Sequence, residues 1–353
     1  MEEAGSPGCT RWFDRIRGEE GQFVLNGPVL FCTDTAWSRY GVELRAVAPQ
    51  LDVITLNGDE HVSDGELARV TVAFFSGDAW PERTAHYIMA CLQAPNLQWL
   101  HTFSAGVDSP VFGEFVRRGA RLTTSSGSSA RPIAQTVMLM ILGLSRDTPA
   151  WMRAQQQHLW APHMGEEVEG ANLAVIGMGP IGDETARLGL ALGMNVVGCR
   201  RIVTGLEPCE TRPWEALAEL LAWADYVVLA LPLTNDTREL IGVDELAMMK
   251  PTARLINVGR GGLVDEPALI DALSNGRLAG AGLDVFATEP LGADSALWDM
   301  PNVIITPHNS GSTALANHRG AQIFIDNMGR FVRGEALRNE VTADHVGAGA
   351  IAG

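Results

Sequence analysis

The feature that most constrains the fold of this chain is a glycine-rich turn between two apolar segments. The turn, GMGPIG, places Gly177, Gly179 and Gly182 in G-x-G-x-x-G spacing; the apolar run NLAVI precedes it, and the helix-like DETARLGLALG and a second apolar run, NVVGC, follow it. A strand, a glycine-rich turn, a helix and a second strand form the unit in which a dinucleotide pyrophosphate lies at the helix N-terminus. The sequence therefore predicts a parallel sheet with a dinucleotide site at this turn.

Each glycine of the turn has its own expected part. Gly177 permits the tight turn, Gly179 lets the pyrophosphate approach the backbone, and Gly182 lets the helix and the strand pack closely. Pro180 has no N–H and removes one possible donor, but Ile181 keeps its own. Proline is compatible with the first turn of a helix, so the predicted phosphate site includes both residues.

The residues after the second apolar run bear on the choice of cofactor. Arg200 stands 18 residues beyond Gly182, where a chain that selects NAD carries Asp or Glu for the adenosine ribose, and Arg201 follows it. Two guanidinium groups attract a 2′-phosphate, which a carboxylate would repel. The sequence therefore predicts NADP(H) as the preferred cofactor, with NAD(H) possible. The alternative is that both arginines are solvated residues at a strand end.

Three further apolar runs each lead to a polar side chain. LINVGR leads to Arg260, AGLDVFATEPL to Glu289 and NVIITPHNS to His308. Ligands bind at the carboxyl ends of the strands in open parallel sheets, so we expect the three side chains to converge. A guanidinium grips a carboxylate, an imidazole exchanges a proton near neutral pH, and a neighbouring carboxylate orients the ring. The set suits reduction of a 2-keto acid; the alternative is three ordinary polar loop residues.

The motifs together identify a resemblance to a known family. With LQWLHTFSAGVDSPVF, YVVLALPLTNDTRELIG and RFVRGEALRNEV, they resemble the D-isomer-specific 2-hydroxyacid dehydrogenases, most closely the glyoxylate/hydroxypyruvate reductase branch. The resemblance covers about residues 29 to 341. It implies that Arg260 binds and orients the substrate, that His308 is the acid/base and that Glu289 is its partner.

The resemblance also extends the set of expected contacts. Asp284 is similar to the residue that contacts the nicotinamide carboxamide, and residues 104–107 resemble a loop whose N–H groups receive the substrate carboxylate. The full cofactor-binding set is Gly177, Gly179, Pro180, Ile181, Gly182, Arg200, Arg201, Leu231, Pro232, Val258, Gly259, Asp284, His308 and Ser310. The full substrate-binding set is Ser76, Ser104, Ala105, Gly106, Val107, Arg260 and His308. Phe74 and Phe75 precede Ser76 and either wall the pocket or fill a core.

Chain length and pattern predict two domains. At 353 residues the chain exceeds the usual size of a single core, and alternating strand and helix patterns occur twice. The helical runs SSARPIAQTVMLMILGLSR and ANHRGAQIFIDNMGRFV are expected to cross between the two blocks. The prediction is an α/β protein with two Rossmann-like, doubly wound parallel-sheet domains and a cleft between them. The substrate-binding domain is discontinuous, residues 1–128 plus 318–353, and residues 129–317 form the dinucleotide-binding domain.

Composition narrows the expected partners and location. The net charge of −16 argues against nucleic acid and anionic membrane as partners. No apolar run approaches the length of a membrane span. Five cysteines without metal-binding spacing fit reduced thiols in a cytoplasmic protein and predict no metal site. Trp151 and Trp160 are candidates for a homodimer interface, because interfaces favour aromatic anchors.

These observations support one leading hypothesis and two rivals. The leading hypothesis is NADPH-dependent reduction of a small 2-keto acid, such as glyoxylate or hydroxypyruvate, to the D-2-hydroxy acid. The first rival is a member of the same family that acts on an aryl or phosphorylated 2-keto acid. The second is a dinucleotide-sensing scaffold that recruits a protein partner, as co-repressor relatives do; a pure sensor would not need the proton donor His308.

Overall fold

The computed structural model describes residues 27–58 and 60–341 and contains two parallel β-sheets. The predicted substrate-binding domain also includes residues 1–26, 59 and 342–353, which lie outside the described residues. Helices connect most of the successive strands in both sheets. The predicted fold class, two Rossmann-like parallel-sheet units, is confirmed, while the predicted domain boundaries stay a prediction.

The first sheet has five strands in the order β2-β1-β3-β4-β5. Its elements are β1 Val29–Thr33, α1 Asp34–Val47, β2 Asp52–Leu56, α2 Asp64–Leu67, β3 Val72–Phe75, α3 Thr84–Gln93, β4 Trp99–Thr102, α4 Pro110–Arg117 and β5 Arg121–Thr124. We call this sheet and the helices packed on it the first lobe. The strand order reverses between β1 and β3, so their carboxyl ends form the ligand-accepting edge.

The second sheet has seven strands in the order β12-β11-β10-β9-β6-β7-β8. Its strands are β6 Asn172–Ile176, β7 Asn195–Cys199, β8 Glu210–Arg212, β9 Tyr226–Leu229, β10 Arg254–Asn257, β11 Gly280–Leu283 and β12 Val303–Ile305. The remaining helices are α5 Ala130–Ser145, α6 Thr148–Gln156, α7 Pro180–Ala191, α8 Leu217–Trp223, α9 Val243–Met248, α10 Glu266–Ser274 and α11 Ala314–Val332. We call this sheet and helices α5 to α10 the second lobe, because α11 packs in the core of the first sheet. Its order reverses between β6 and β9, beside the glycine-rich turn.

Two helices lead from one lobe to the other. In α5, Val137 and Met140 are buried in one core with Val175 of β6. In α11, which comes after the last strand, Phe324 is buried in the core of the first lobe with Trp99 of β4. The chain therefore returns to its first sheet after completing its second. Within the described ranges, no helix combines the length and the apolar character needed to cross a bilayer.

Candidate active site

The glycine-rich turn connects β6 to α7 and is packed closely on two sides. Gly177 has a φ of 105°, and its N–H donates to the carbonyl of Cys199 at 2.9 Å. A Cβ on Gly177 would lie 2.7 Å from the backbone carbonyl of Ala230, and one on Gly182 would lie 2.1 Å from the carbonyl oxygen of Gly177. Both positions therefore require glycine.

The third glycine faces open space. Apart from its neighbours in the chain, no atom of the described residues lies within 4 Å of a Cβ built on Gly179. Gly179 is the N-cap residue of α7, and Pro180 is the first residue inside that helix, followed by the partly exposed Ile181. An open backbone at a helix N-terminus suits an anionic group. These residues therefore fit the phosphates of a dinucleotide.

The loops that follow β9 and β10 lie against each other beside this turn. Leu231 and Val258 are buried, and Pro232 follows Leu231 in the β9 loop. A Cβ on Gly259 would lie 2.8 Å from the carbonyl oxygen of Leu231. The structure thus brings these four predicted cofactor contacts together at the carboxyl edge of the second sheet.

Arg260 extends from the second lobe to the first. Asn257, the last residue of β10, accepts from the Gly259 N–H at 3.1 Å and donates to the Arg260 carbonyl at 2.9 Å, which fixes the loop. Arg260 Nε donates to Asp108 Oδ2 at 2.7 Å. A Cβ on Gly106 would lie 1.7 Å from Arg260 Nη2. The guanidinium is therefore held against the predicted substrate-carboxylate loop.

That loop, residues 104–107, is ordered by its own side chains. The Ser104 N–H donates to Thr102 Oγ1 at 3.3 Å, and Ser104 Oγ donates to the Gly106 carbonyl at 2.8 Å. Ala105 is exposed, whereas Val107 is buried in the core of the first lobe. The Ser104 hydroxyl is therefore engaged within the loop, and Gly106 is the loop residue that lies against Arg260.

Ser76 differs from the other predicted substrate contacts. Its side chain is buried, and its hydroxyl donates to Asp78 Oδ1 at 2.6 Å and lies 3.3 Å from Thr33 Oγ1. The hydroxyl is thus engaged within the first lobe. Phe74 and Phe75 are also buried in that lobe. Of the two interpretations given above for these side chains, they therefore fill a core.

His308 and Glu289 form a close pair in the loops after β12 and β11. His308 Nδ1 lies 2.6 Å from Glu289 Oε2, and Glu289 Oε1 accepts from the Phe286 N–H at 3.0 Å. A Cβ on Gly261 would lie 1.8 Å from the Phe286 carbonyl oxygen, so the Arg260 loop abuts the segment that anchors Glu289. With Nδ1 held by a carboxylate, Nε2 is the ring nitrogen left for proton transfer.

Asp284 organises the loop that carries His308. It is 1% exposed, and its Oδ1 accepts from Thr306 Oγ1 at 2.6 Å and from the Asn309 N–H at 3.1 Å. Ser310 Oγ donates to Asp284 Oδ2, and the His308 N–H donates to the Asp284 carbonyl at 2.8 Å. His308 has a φ of 49°, a left-handed conformation uncommon for residues other than glycine. The predicted cofactor contacts Asp284 and Ser310 thus bind each other, and their contact with nicotinamide stays a prediction.

The two arginines after β7 are each paired with a carboxylate. Arg200 Nη1 lies 2.7 Å from Glu207 Oε1, and Arg201 Nη2 lies 3.1 Å from Asp236 Oδ2. The Arg201 pair is open to solvent, whereas the Glu207 side chain is only 3% exposed. Neither pairing was indicated by the sequence patterns, because a loop carboxylate can reach several partners.

Some site residues were not indicated by the sequence patterns. Asp108 directly follows the predicted Val107, Thr306 stands two residues before the predicted His308, and Asn257 is the polar end of the otherwise apolar run LIN. A polar residue at the carboxyl end of a parallel strand is a usable signal, so Asn257 could have been found. The Asp108 contact depends on how the two lobes meet and could not.

Comparison with known proteins identifies several similar chains. The family model for the D-isomer specific 2-hydroxyacid dehydrogenase, NAD binding domain, matches residues 138–310. A glyoxylate reductase from Aeropyrum pernix is 34% identical over 266 residues, 72% of this chain and 79% of the relative. A D-3-phosphoglycerate dehydrogenase from Mycobacterium tuberculosis is 32% identical over 311 residues; the match covers 87% of this chain but only 57% of that longer protein.

A solved structure resembles the whole architecture. The D-isomer specific 2-hydroxyacid dehydrogenase from Xanthobacter autotrophicus Py2, crystallised with NADPH and MES, has a TM-score of 0.73 and 31% sequence identity to this chain. The alignment covers 90% of this chain and 98% of that one. The similarity therefore extends over both lobes.

Proposed function

This chain belongs to the D-isomer-specific 2-hydroxyacid dehydrogenase family, and from that premise we propose that it reduces a small 2-keto acid to the D-2-hydroxy acid, with NADPH as the preferred reductant. The observation that carries the proposal is the 2.6 Å pair between His308 Nδ1 and Glu289 Oε2, in a loop that abuts the loop of Arg260. A proton donor beside a carboxylate-binding cation is what a 2-keto acid reductase needs.

The side chains divide the chemistry among them. Arg260 binds the substrate carboxylate and polarises the keto oxygen, and His308 Nε2 donates a proton to that oxygen as it gains charge. Glu289 keeps the proton on Nδ1 and stabilises the imidazolium form. A dinucleotide held at the glycine-rich turn would supply a hydride for the keto carbon. That hydride and the proton from His308 would be the two hydrogens by which the hydroxy acid differs from the keto acid.

Two features support the preference for NADPH. Arg200 and Arg201 follow β7, where a carboxylate would otherwise select NAD. The similar protein from Xanthobacter autotrophicus was crystallised with NADPH. NADH remains the second cofactor of the proposal.

The proposed substrates are glyoxylate and hydroxypyruvate. The match to the glyoxylate reductase from Aeropyrum pernix spans 79% of that protein. The rival is a phosphorylated keto acid, favoured by the match to a phosphoglycerate dehydrogenase. Arg83, a cation next to the Ser76 loop, is already bound by Asp34 at 2.7 Å and by Asp78 at 2.8 Å, which argues against a phosphate there.

We also propose that the active form is a homodimer. Large apolar side chains are exposed on α6 and the segment after it, where Met152 is 58%, Trp160 97% and Met164 98% exposed. Several large apolar side chains exposed on one segment favour an association site. Sedimentation equilibrium on the unmodified chain and on Trp160→Glu tests this, with Val42→Glu, on exposed apolar surface of the first lobe, as the control. A monomer in all three samples would refute the homodimer.

The test of activity is the initial rate of NADPH and NADH oxidation against glyoxylate, hydroxypyruvate, pyruvate, phenylpyruvate and 3-phosphohydroxypyruvate. We expect the highest kcat/KM with NADPH and either glyoxylate or hydroxypyruvate. A maximum with 3-phosphohydroxypyruvate or phenylpyruvate would select the first rival. Dinucleotide binding without turnover on any substrate would select the sensing scaffold.

A further inference from the structure

The loop between β7 and β8 encloses a carboxylate of its own. Glu207 Oε1 accepts from the Thr204 N–H at 2.9 Å and from Thr204 Oγ1 at 2.8 Å, and Oε2 accepts from the Gly205 N–H at 2.8 Å. Arg200 Nη1 donates to the same Oε1 at 2.7 Å. We call Arg200, Thr204 and Gly205 the anion pocket and Glu207 its internal occupant.

The donors of the anion pocket are those that bind phosphate monoesters. Two backbone N–H groups, one hydroxyl and one guanidinium converge on two oxygens of one anion. Turns that direct successive N–H groups at one point, combined with an arginine, are a common phosphate site. The Thr204 N–H, with the Thr204 hydroxyl and the Arg200 guanidinium, lowers the pKa of Glu207 to about 2. The internal occupant is therefore an anion at any neutral pH.

The pocket lies beside the site proposed for the dinucleotide. Arg200 directly follows β7, whose last residue, Cys199, pairs with Ile176 of β6 and accepts a hydrogen bond from the Gly177 N–H. In this fold, the residue after the second strand faces the adenosine ribose of a dinucleotide whose pyrophosphate lies on the glycine-rich turn. The anion pocket is thus positioned to receive a group on the ribose 2′ oxygen.

A second carboxylate lies within electrostatic range of the same arginine. Asp183, in the first turn of α7, has its pKa raised by burial, and the charges of Arg200 and Glu207 both act on it. Within the part of the chain that the structure describes, Asp183 Oδ1 has no hydrogen-bond donor. Arg200 therefore has two carboxylates near it, and an incoming 2′-phosphate meets negative charge as well as the guanidinium.

We propose that Glu207 sets the discrimination between NADPH and NADH by occupying the place of the 2′-phosphate. NADH leaves Glu207 in the anion pocket, whereas NADPH must displace it. Glu207 therefore opposes the attraction that Arg200 exerts on NADPH. This inference rests on the dinucleotide binding of the proposed function, but not on turnover or on which cofactor the unmodified chain prefers.

The test is direct binding of NADPH and NADH, measured by titration calorimetry without substrate, to the unmodified chain and to Glu207→Gln. The amide keeps the size of the side chain and removes its charge. We expect the Kd of NADPH to fall about tenfold or more and that of NADH to change less than about threefold, since only the 2′-phosphate is relieved of like-charge repulsion. An unchanged ratio of the two Kd values would overturn the inference.

Glu210→Gln is the matched control, because Glu210 is also a carboxylate paired with an arginine in this region, at 2.8 Å from Arg212, but is exposed. It should leave the ratio of Kd values unchanged. A crystal structure of the unmodified chain with NADP⁺ tests the inference even if Glu207→Gln does not fold. Glu207 should then have left Arg200 and Thr204; a complex with that contact intact refutes it.

The two proposals fail in different ways. Tighter binding of NADH than NADPH by the unmodified chain would refute only the NADPH preference in the proposed function. Binding without keto acid reduction would refute only the proposed reaction. The inference about Glu207 fails when its substitution leaves the NADPH to NADH ratio unmoved.

Discussion

Arg260 has no spare room on the side of Gly106. Gly106→Ala would place a Cβ 1.7 Å from Arg260 Nη2 and displace the guanidinium. We expect kcat/KM for the keto acid to fall about 100-fold, mostly through KM, since misplacing a binding group by about 1 Å has that effect. Steady-state kinetics at fixed NADPH would measure it.

Gly65→Ala is the control for that substitution. Gly65 lies in α2, and no atom of the described ranges approaches its added Cβ within 4 Å. Its kinetics should match those of the unmodified chain. An unchanged KM in Gly106→Ala would show that Arg260 does not bind the substrate.

His308 is expected to act mainly in the chemical step. His308→Ala should lower kcat about 10²- to 10⁴-fold, the usual contribution of a positioned acid/base, and change the Kd of NADPH far less. His318→Ala, which removes an exposed imidazole from α11, should leave both unchanged. Near-normal reduction by His308→Ala would refute the role of proton donor.

At the residue scale, the sequence indicated which polar side chains follow the strands and that Glu289 partners His308, but it did not indicate the other pairs. Arg260, Glu289 and His308 could be chosen because each follows an apolar run. The contact between Arg260 and Asp108 joins residues from different lobes, and that between Arg200 and Glu207 depends on a loop turning back on itself. Side-chain partners of this kind are set by tertiary geometry, which sequence patterns do not encode.

At the scale of elements, two glycines of the glycine-rich turn have different expected roles: Gly182 is needed for folding, and Gly179 is needed for dinucleotide binding. Gly182→Ala would force a Cβ to 2.1 Å from the Gly177 carbonyl, so we expect it to lower the stability of the protein as well as dinucleotide binding. Gly179→Ala meets only open space in the described structure, so it should unfold at the same temperature as the unmodified chain. Its added methyl group would nevertheless obstruct the pyrophosphate and weaken NADPH binding.

Thermal unfolding and NADPH titration of the two variants separate these effects. Normal NADPH binding by Gly179→Ala would mean that the pyrophosphate does not lie at this turn. Equal unfolding temperatures for both variants would mean that the backbone relaxes around Gly182.

The strands were easier to predict than the short connecting elements. NLAVI and NVVGC coincide with β6 and β7, because buried parallel strands are continuous apolar runs bounded by turn residues. The helix α6 and the strand β8 were not predicted. No residue of α6 is buried, and β8 is the polar triplet ETR at a sheet edge, so neither has the periodicity that reveals an element.

At the scale of the whole molecule, a buried histidine links stability to pH. His101 lies in β4, with Nδ1 2.7 Å from Thr123 Oγ1 and Nε2 3.0 Å from Ser125 Oγ, and burial lowers its pKa to about 3. An unfolded histidine has a pKa of about 6.5, so below that pH this histidine binds a proton in the unfolded chain but stays neutral in the folded chain. The free energy of unfolding should therefore fall by up to about 1.4 kcal/mol per pH unit between pH of about 6.5 and 3.

Urea unfolding of the unmodified chain and of His101→Gln at pH of about 7 and about 5 checks this contribution. The variant should lose less stability than the unmodified chain on acidification, by about 2 kcal/mol over that interval. Equal losses in the two proteins would show that His101 is protonated in the folded state or that other groups determine the acid response.

The return of α11 to the first lobe has a consequence for how the protein forms during synthesis. Phe324, which stacks on Phe74 at 4.3 Å and shares a core with Trp99, is made only after every strand of the second lobe. The second lobe is continuous from β6 to β12, so a ribosome completes its core first. The first sheet is synthesised earlier, but one of its apolar faces stays uncovered until α11 leaves the ribosome. During this interval the exposed apolar surface makes the nascent chain prone to aggregation and a target for chaperones.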